Sequence, residues 1–177
     1  RGITDGIAAG PALTAVAETV IRVLCPYVQE EFAIRHGRID CSGMCAVAYG
    51  KLGGRELMHG SDLDLVFVYD HPESAGQSDG PKPLAPSVYF MRLAQRIVSA
   101  ISAPTGEGKL YKIDLRLRPS GNKGPVAVRV DGYFDYLKNS AWTWEHMALT
   151  RARPISGLAS LQERIRSDIA QTLSRDR

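Results

Sequence analysis

Long apolar runs, cysteine pairs, histidine clusters and the usual glycine-rich nucleotide fingerprints are what these 177 residues lack. No stretch approaches the roughly 20 apolar residues of a bilayer-spanning helix. The N-terminus has neither the charged nor the apolar region of a signal peptide, so a cytoplasmic protein with no membrane role is expected. The three cysteines, Cys25, Cys41 and Cys45, are odd in number and without metal-finger spacing, and read as reduced thiols. His36, His59, His71 and His146 form no triad pattern, no Gly-x-Ser-x-Gly elbow occurs, and His59 reads as an exposed turn residue. Gly50-Lys51-Leu52-Gly53-Gly54 lacks the spacing of a phosphate-binding ATPase loop. A net charge of +3 is too small to argue for nucleic acid. There is no internal repeat, and no methionine before Met44, which suggests a piece of a longer protein.

What is present is ordinary globular composition, 44% apolar and 23% charged, in a chain long enough for one good core. Three segments are expected: a leading helical segment over 1–40, a catalytic core over 41–130 and a helical end over 131–177. Leu13, Val16, Val20, Ile21, Leu24, Val28 and Phe32 recur at helical period, with Pro26 expected to kink the helix and Gly37 to end it. Residues 44–49 and 62–69 read as strands, with a turn at 50–54 and a helical stretch at 55–58 between them. Residues 70–86 read as an exposed, dispensable loop and Ser87 as the cap of a helix whose stripe runs from Phe90 to Ile101. A turn over 105–109 leads to a strand from Leu110, a last strand covers 126–130, and helices at 131–139, 142–151 and 158–173 complete the chain.

Asp62-Leu63-Asp64, reached through Gly60-Ser61 and followed by Leu65-Val66-Phe67-Val68-Tyr69, is the most informative pattern. On a strand both aspartates share one face, roughly 6–7 Å apart, while Leu63, Leu65 and Phe67 point into the core. Carboxylates held so close repel, a cost that a shared divalent cation removes. On the strand from Leu110, Lys112, Asp114, Arg116 and Arg118 alternate with Ile113, Leu115 and Leu117, placing four charges on one face.

Together these supply what phosphoryl or nucleotidyl transfer requires. Asp62, Asp64 and Asp114 would hold two magnesium ions, backbone N–H groups around Gly60-Ser61 would receive phosphate, and Arg116, Arg118 and Lys123 would offset triphosphate charge. Tyr133, Phe134, Tyr136, Trp142 and Trp144 read first as packing and second as a platform for a nucleobase.

Gly50, Lys51, Gly53-Gly54 and Gly60-Ser61-Asp62-Leu63-Asp64-Leu65 resemble the DNA polymerase β-type nucleotidyltransferase superfamily, with Lys51 where most members have serine. The longer strings GKLGGRELMHGSDLDLVFVYD, YKIDLRLRPSGNKGP and WTWEHMALTRARPISG resemble the bacterial glutamine synthetase adenylyltransferase family over about residues 44–157. The resemblance implies an α/β fold, a small mixed sheet flanked by helices, with Asp62, Asp64 and Asp114 as the metal-binding catalytic triad. It adds Gly50 and Lys51 to the nucleotide contacts.

It also implies ATP as substrate, glutamine synthetase as the protein acceptor, and the PII signal protein as a regulator acting through the rest of the polypeptide. Enzymes of that family have two homologous halves, one adding AMP to a tyrosine and one removing it by phosphorolysis. The forms Tyr49-Gly50-Lys51 and Asn139-Ser140-Ala141-Trp142-Thr143-Trp144-Glu145-His146 are closer to the adding half, while Gly124-Pro125 is shared with the removing half. A silent module binding nucleotide or PII, and a nucleic-acid-directed nucleotidyltransferase, are the other readings.

Overall fold

In the computed structural model, residues 9–106 and 108–174 are described. Residues 1–8 of the expected leading segment, Glu107 of the expected turn and residues 175–177 of the expected helical end lie outside the described residues. The described chain is a mixed α/β fold, a small mixed sheet flanked by helices.

The first helix, α1 (Gly10–His36), opens with proline in its first turn and ends at Gly37, whose φ of 70° only glycine adopts without strain. It runs through Pro26 without dividing. By length and composition α1 is apolar enough to cross a membrane, with mean hydropathy 1.3 in its most apolar window, contrary to the expectation from the sequence. One face nevertheless belongs to this domain's core: Ala17, Ile21, Cys25, Val28 and Phe32 are buried. Val16, Val23, Tyr27 and Ile34 are exposed.

Strands β1 (Gly43–Ala48) and β2 (Leu63–Asp70) pair antiparallel, Ala48 opposite Leu65 and Gly43 opposite Asp70. Between them sits the short helix α2 (Gly50–Gly53). Helical hydrogen bonds thus fall on 50–53 rather than the expected 55–58, because Arg55 adopts the left-handed conformation at φ 60° and ends the turn. After β2, the segment 71–85 is fastened to the end of α1 rather than free. Asp79 N–H donates to Arg38 O, Gly80 N–H to His36 O and Lys82 N–H to Arg35 O. Gly37 and Gly80 approach so closely that a Cβ on either would meet the other's backbone nitrogen at 2.1 Å. Helix α3 (Pro86–Ile101) is opened by Pro86, with Ala85 at the cap position expected for Ser87.

A two-residue hairpin, β3 (Pro104–Thr105) with β4 (Gly108–Lys109), precedes β5 (Ile113–Asp114). The long alternating strand expected from Leu110 is only these two residues. Asp114 captures the N–H of Arg116 at 2.9 Å, an Asx turn that spends the amide a continuing strand would offer to its neighbour. Arg116 and Arg118 therefore leave the sheet, and the four charges do not share a face. The chain returns as β6 (Ala127–Arg129), and β5 and β6 lie in sequence along the same strand, both parallel to β2.

Helices α4 (Val130–Asn139) and α5 (Thr143–Leu149) lead to a strand missed in the sequence, β7 (Arg153–Ser156), and then α6 (Ala159–Leu173). Pro154 lies within β7, which pairs only with β1 at the sheet edge, where a missing N–H is tolerated. The segment after residue 130 thus returns a strand to the sheet. Alternation along β2 divides the core: Leu63, Leu65 and Phe67 pack toward α1 and α3, while Val66 and Val68 join Tyr133, Phe134, Leu149 and Ile165 on the opposite face. Cys25 and Cys45 are buried in these cores and Cys41 is exposed, all three as free thiols. Burial pushes the Cys45 thiol up to about 12.

Candidate active site

The face of β2 that carries Val66 and Val68 into the core emerges at the strand's N-terminal end as Asp64 and, just before the strand, Asp62. Parallel pairing of Leu63 with Ile113 sets Asp64 abreast of Asp114. Leu63 N–H to Lys112 O at 2.8 Å fixes that register. Asp64 senses the other two carboxylates. Asp64's carboxyl is raised above its usual range by burial first, then by the charges of Asp114 and Asp62, against the opposing pull of Arg116 and Lys51. Asp114 is held below the usual range, chiefly by hydrogen bonds from Arg116, whose Nε donates to its two oxygens at 3.0 and 2.8 Å.

Gly50, the first residue of α2, lies against Asp64: a Cβ there would meet Asp64 Oδ2 at 2.2 Å. The glycine also adopts φ 51°, so close approach and backbone conformation both demand it. Lys51 beside it is exposed and acts on Asp64 through its charge. Helix α2 is itself held from behind. Arg153 on β7 donates from Nε to Gly53 O at 2.7 Å and from Nη2 to Leu52 O at 3.1 Å, and it pairs with Glu18 of α1. Arg153 stands inside a motif string yet carries no active-site pattern of its own, and only the return of β7 to the sheet reveals its position.

The turn at Gly60-Ser61 is closed on itself. Ser61 N–H donates to Met58 O at 3.0 Å and its Oγ accepts Met58 N–H at 3.1 Å, so the Ser61 amide expected to receive phosphate is already engaged. Gly60, at φ 75°, has open space where a side chain would stand. Arg118 is turned inward and only 7% exposed. Its Nη1 donates to Leu115 O at 2.8 Å and its Nε to Gly124 O at 3.2 Å, tying together both ends of the excursion between β5 and β6. Lys123 lies exposed on the 3-10 turn Gly121–Lys123 of that excursion. Of the aromatic group, Tyr133 and Phe134 are buried as packing, Tyr136 donates its hydroxyl to Glu145, and Trp142 and Trp144 are largely exposed.

Three carboxylates and no sulfur or imidazole make a donor set suited to a hard, oxygen-seeking cation such as magnesium. The mutual repulsion at Asp64 is what such a cation would relieve. Among the described residues, however, no group of three or more His, Cys, Asp or Glu side chains is gathered around one point, and Asp114 is occupied by Arg116. The donors fit the ion chemically, and Arg116 has to release Asp114 for all three to serve.

A family model described as glutamate-ammonia ligase adenylyltransferase matches residues 7–167. The chain is 51% identical over 176 residues to a bifunctional glutamine synthetase adenylyltransferase/adenylyl-removing enzyme of Brucella suis, and 50% and 48% identical to proteins of the same name from Mesorhizobium japonicum and Rhizobium meliloti. In each case 99% of this chain is covered, but only 18% of the relative.

Proposed function

The chain belongs to the glutamate-ammonia ligase adenylyltransferase family, and we propose that this domain transfers AMP from ATP to a tyrosine of glutamine synthetase. The observation that carries the proposal is the register of β2 and β5, which sets Asp64 abreast of Asp114, with Asp62 beside them and Gly50 and Lys51 against Asp64.

In this reading Asp62, Asp64 and Asp114 hold divalent cations, two magnesium ions by preference, which when bound supply Lewis acidity at the α-phosphate. Lys51, Arg116 and Lys123 receive the triphosphate, Arg116 exchanging its ion pair with Asp114 for phosphate oxygens. Gly50 lets backbone come close, and Gly60 and Ser61 shape the neighbouring wall. Arg118 acts through the excursion that presents Arg116 and Lys123.

A free phenol, with pKa about 10, is a poor nucleophile at neutral pH. Its proton passes to the carboxylate cluster as the tyrosine oxygen bonds the α-phosphorus, and the bond to pyrophosphate breaks in line. The reverse use, phosphate attacking an AMP-tyrosine bond, needs the same stage, and the relatives' names include adenylyl removal. Control by PII-type signals belongs to parts of the polypeptide outside this chain, and the setting is cytoplasmic.

Intact-protein mass spectrometry decides between the two directions. Glutamine synthetase is incubated with the domain and Mg-ATP in one mixture, and AMP-modified glutamine synthetase with the domain and phosphate in the other. Gain of AMP in the first is expected; loss of AMP only in the second assigns the removing half.

A further inference from the structure

Beside the carboxylates lies a cleft of about 470 Å³ that shares only Asp62 with them. Part of its wall is apolar, Leu13 from α1, Leu57 and Met58 from the stretch before the Gly60 turn, and Leu110 and Tyr111 from the stretch before β5, and His59, Gly60 and Ser61 line it beside Asp62. Leu57 forms the buried floor, while Met58 and Leu110 are 47% and 56% exposed. Lys109 and Lys112 flank the apolar wall, both exposed and without an ion pair among the described residues. The volume is in the range of pockets that enclose small ligands, about 300–1,000 Å³.

We infer that this cleft is the acceptor subsite, taking a tyrosyl side chain presented on an acidic segment of the protein substrate. The inference rests on the reading that the carboxylates transfer AMP. In-line displacement requires the attacking oxygen to approach from the side opposite the leaving pyrophosphate. The cationic groups suited to a triphosphate, Lys51 and Arg116, act on the carboxylates and do not line the cleft. The cleft reaches the cluster at Asp62, and a phenol oxygen would enter there.

An aromatic ring matches the walls of Leu57, Met58, Leu110 and Tyr111. Lys109 and Lys112 match carboxylates on either side of that ring in the acceptor chain, charges at a rim that set encounter and specificity.

The test uses the full-length polypeptide that carries this chain, with glutamine synthetase as the probe, in a kinetic and a binding arm. Lys109→Glu with Lys112→Glu is expected to raise the KM for glutamine synthetase about tenfold or more, with the KM for ATP unmoved, and to weaken the dependence of acceptor use on salt. A raised KM for ATP with acceptor use unchanged makes the cleft a nucleotide subsite and overturns the inference. So does no change in either.

In the binding arm, Leu110→p-benzoylphenylalanine is irradiated with glutamine synthetase and the cross-linked peptide read by mass spectrometry. A peptide holding a tyrosine among acidic residues is expected, and its absence overturns the subsite. Should the unaltered protein prove unable to transfer AMP in either direction, the proposed function falls, while the cross-link still decides the cleft.

Discussion

On the proposed reading, Asp64 serves chemistry at the expense of the fold. Burial and the neighbouring carboxylates raise its pKa, so its protonated form is the one the folded chain prefers. Its contribution to stability is complete below the unfolded-chain value, about 3.9, and is lost as pH rises through the higher folded value. At pH 7 the ionised carboxylate therefore works against folding. Asp64→Asn is expected to raise the melting temperature at pH 7 in the absence of divalent cations, with the gain shrinking toward pH 4. Calorimetry at the two pH values checks this, and a lower melting temperature for the variant at pH 7 contradicts it. Asp114 has the opposite sign, its contribution present above about 3.9 and lost as pH falls through its depressed value, because Arg116 stabilises the charge.

Arg118 separates a direct role from a positioning one. With Leu115 O and Gly124 O as its partners, Arg118→Ala leaves two loop carbonyls short and is expected to cost about 1–3 kcal/mol. Denaturant unfolding beside ATP kinetics distinguishes the roles. Unchanged stability with a raised KM for ATP would make Arg118 a phosphate ligand instead.

At the scale of elements, α2 is the piece most exposed to loss of support. It is four residues long, too short to stand by its own hydrogen bonds, and depends on the carbonyl contacts of Arg153 and on the fit of Gly53. A Cβ at Gly53 would meet Arg151 O at 2.0 Å and Ala48 O at 2.9 Å, both backbone atoms. Gly53→Ala is expected to destabilise the fold by about 1–3 kcal/mol and to lower AMP transfer by displacing Gly50 and Lys51. Full activity and stability in that variant would contradict the close packing.

The elements also mark where the sequence was readable. Strand β2 was legible because alternation fixes both its core face and its carboxylate face, and a helix reading would scatter them. Strand β5 was overread: an alternating pattern does not reveal that Asp114 binds the amide two residues on and ends the strand. Strand β7 was missed because the tolerance for Pro154 depends on lying at an edge, a fact of topology. That Asp64 would stand near Asp114 could be expected from the chain alone, whereas the inward turn of Arg118 and the brace of Arg153 come from contacts between distant segments.

At the scale of the molecule, two cores clamp one sheet and leave the N-terminal end of β2 to bear the charges. The elements on either side have divided tasks. Helices α1 and α3 cover one face, α4, α5 and α6 the other, and the excursion between β5 and β6 hangs over the carboxylates from the sheet's edge. The chain spans 18% of the length of the curated relatives it matches.

The direct measurement is transfer of label from α-labelled ATP to unmodified glutamine synthetase by the full-length polypeptide carrying Asp64→Asn, with circular dichroism confirming that the variant is folded. A folded variant whose transfer falls by at least about 100-fold is the expected result. Transfer within about threefold of the unaltered protein would contradict the carboxylate cluster as the seat of the chemistry.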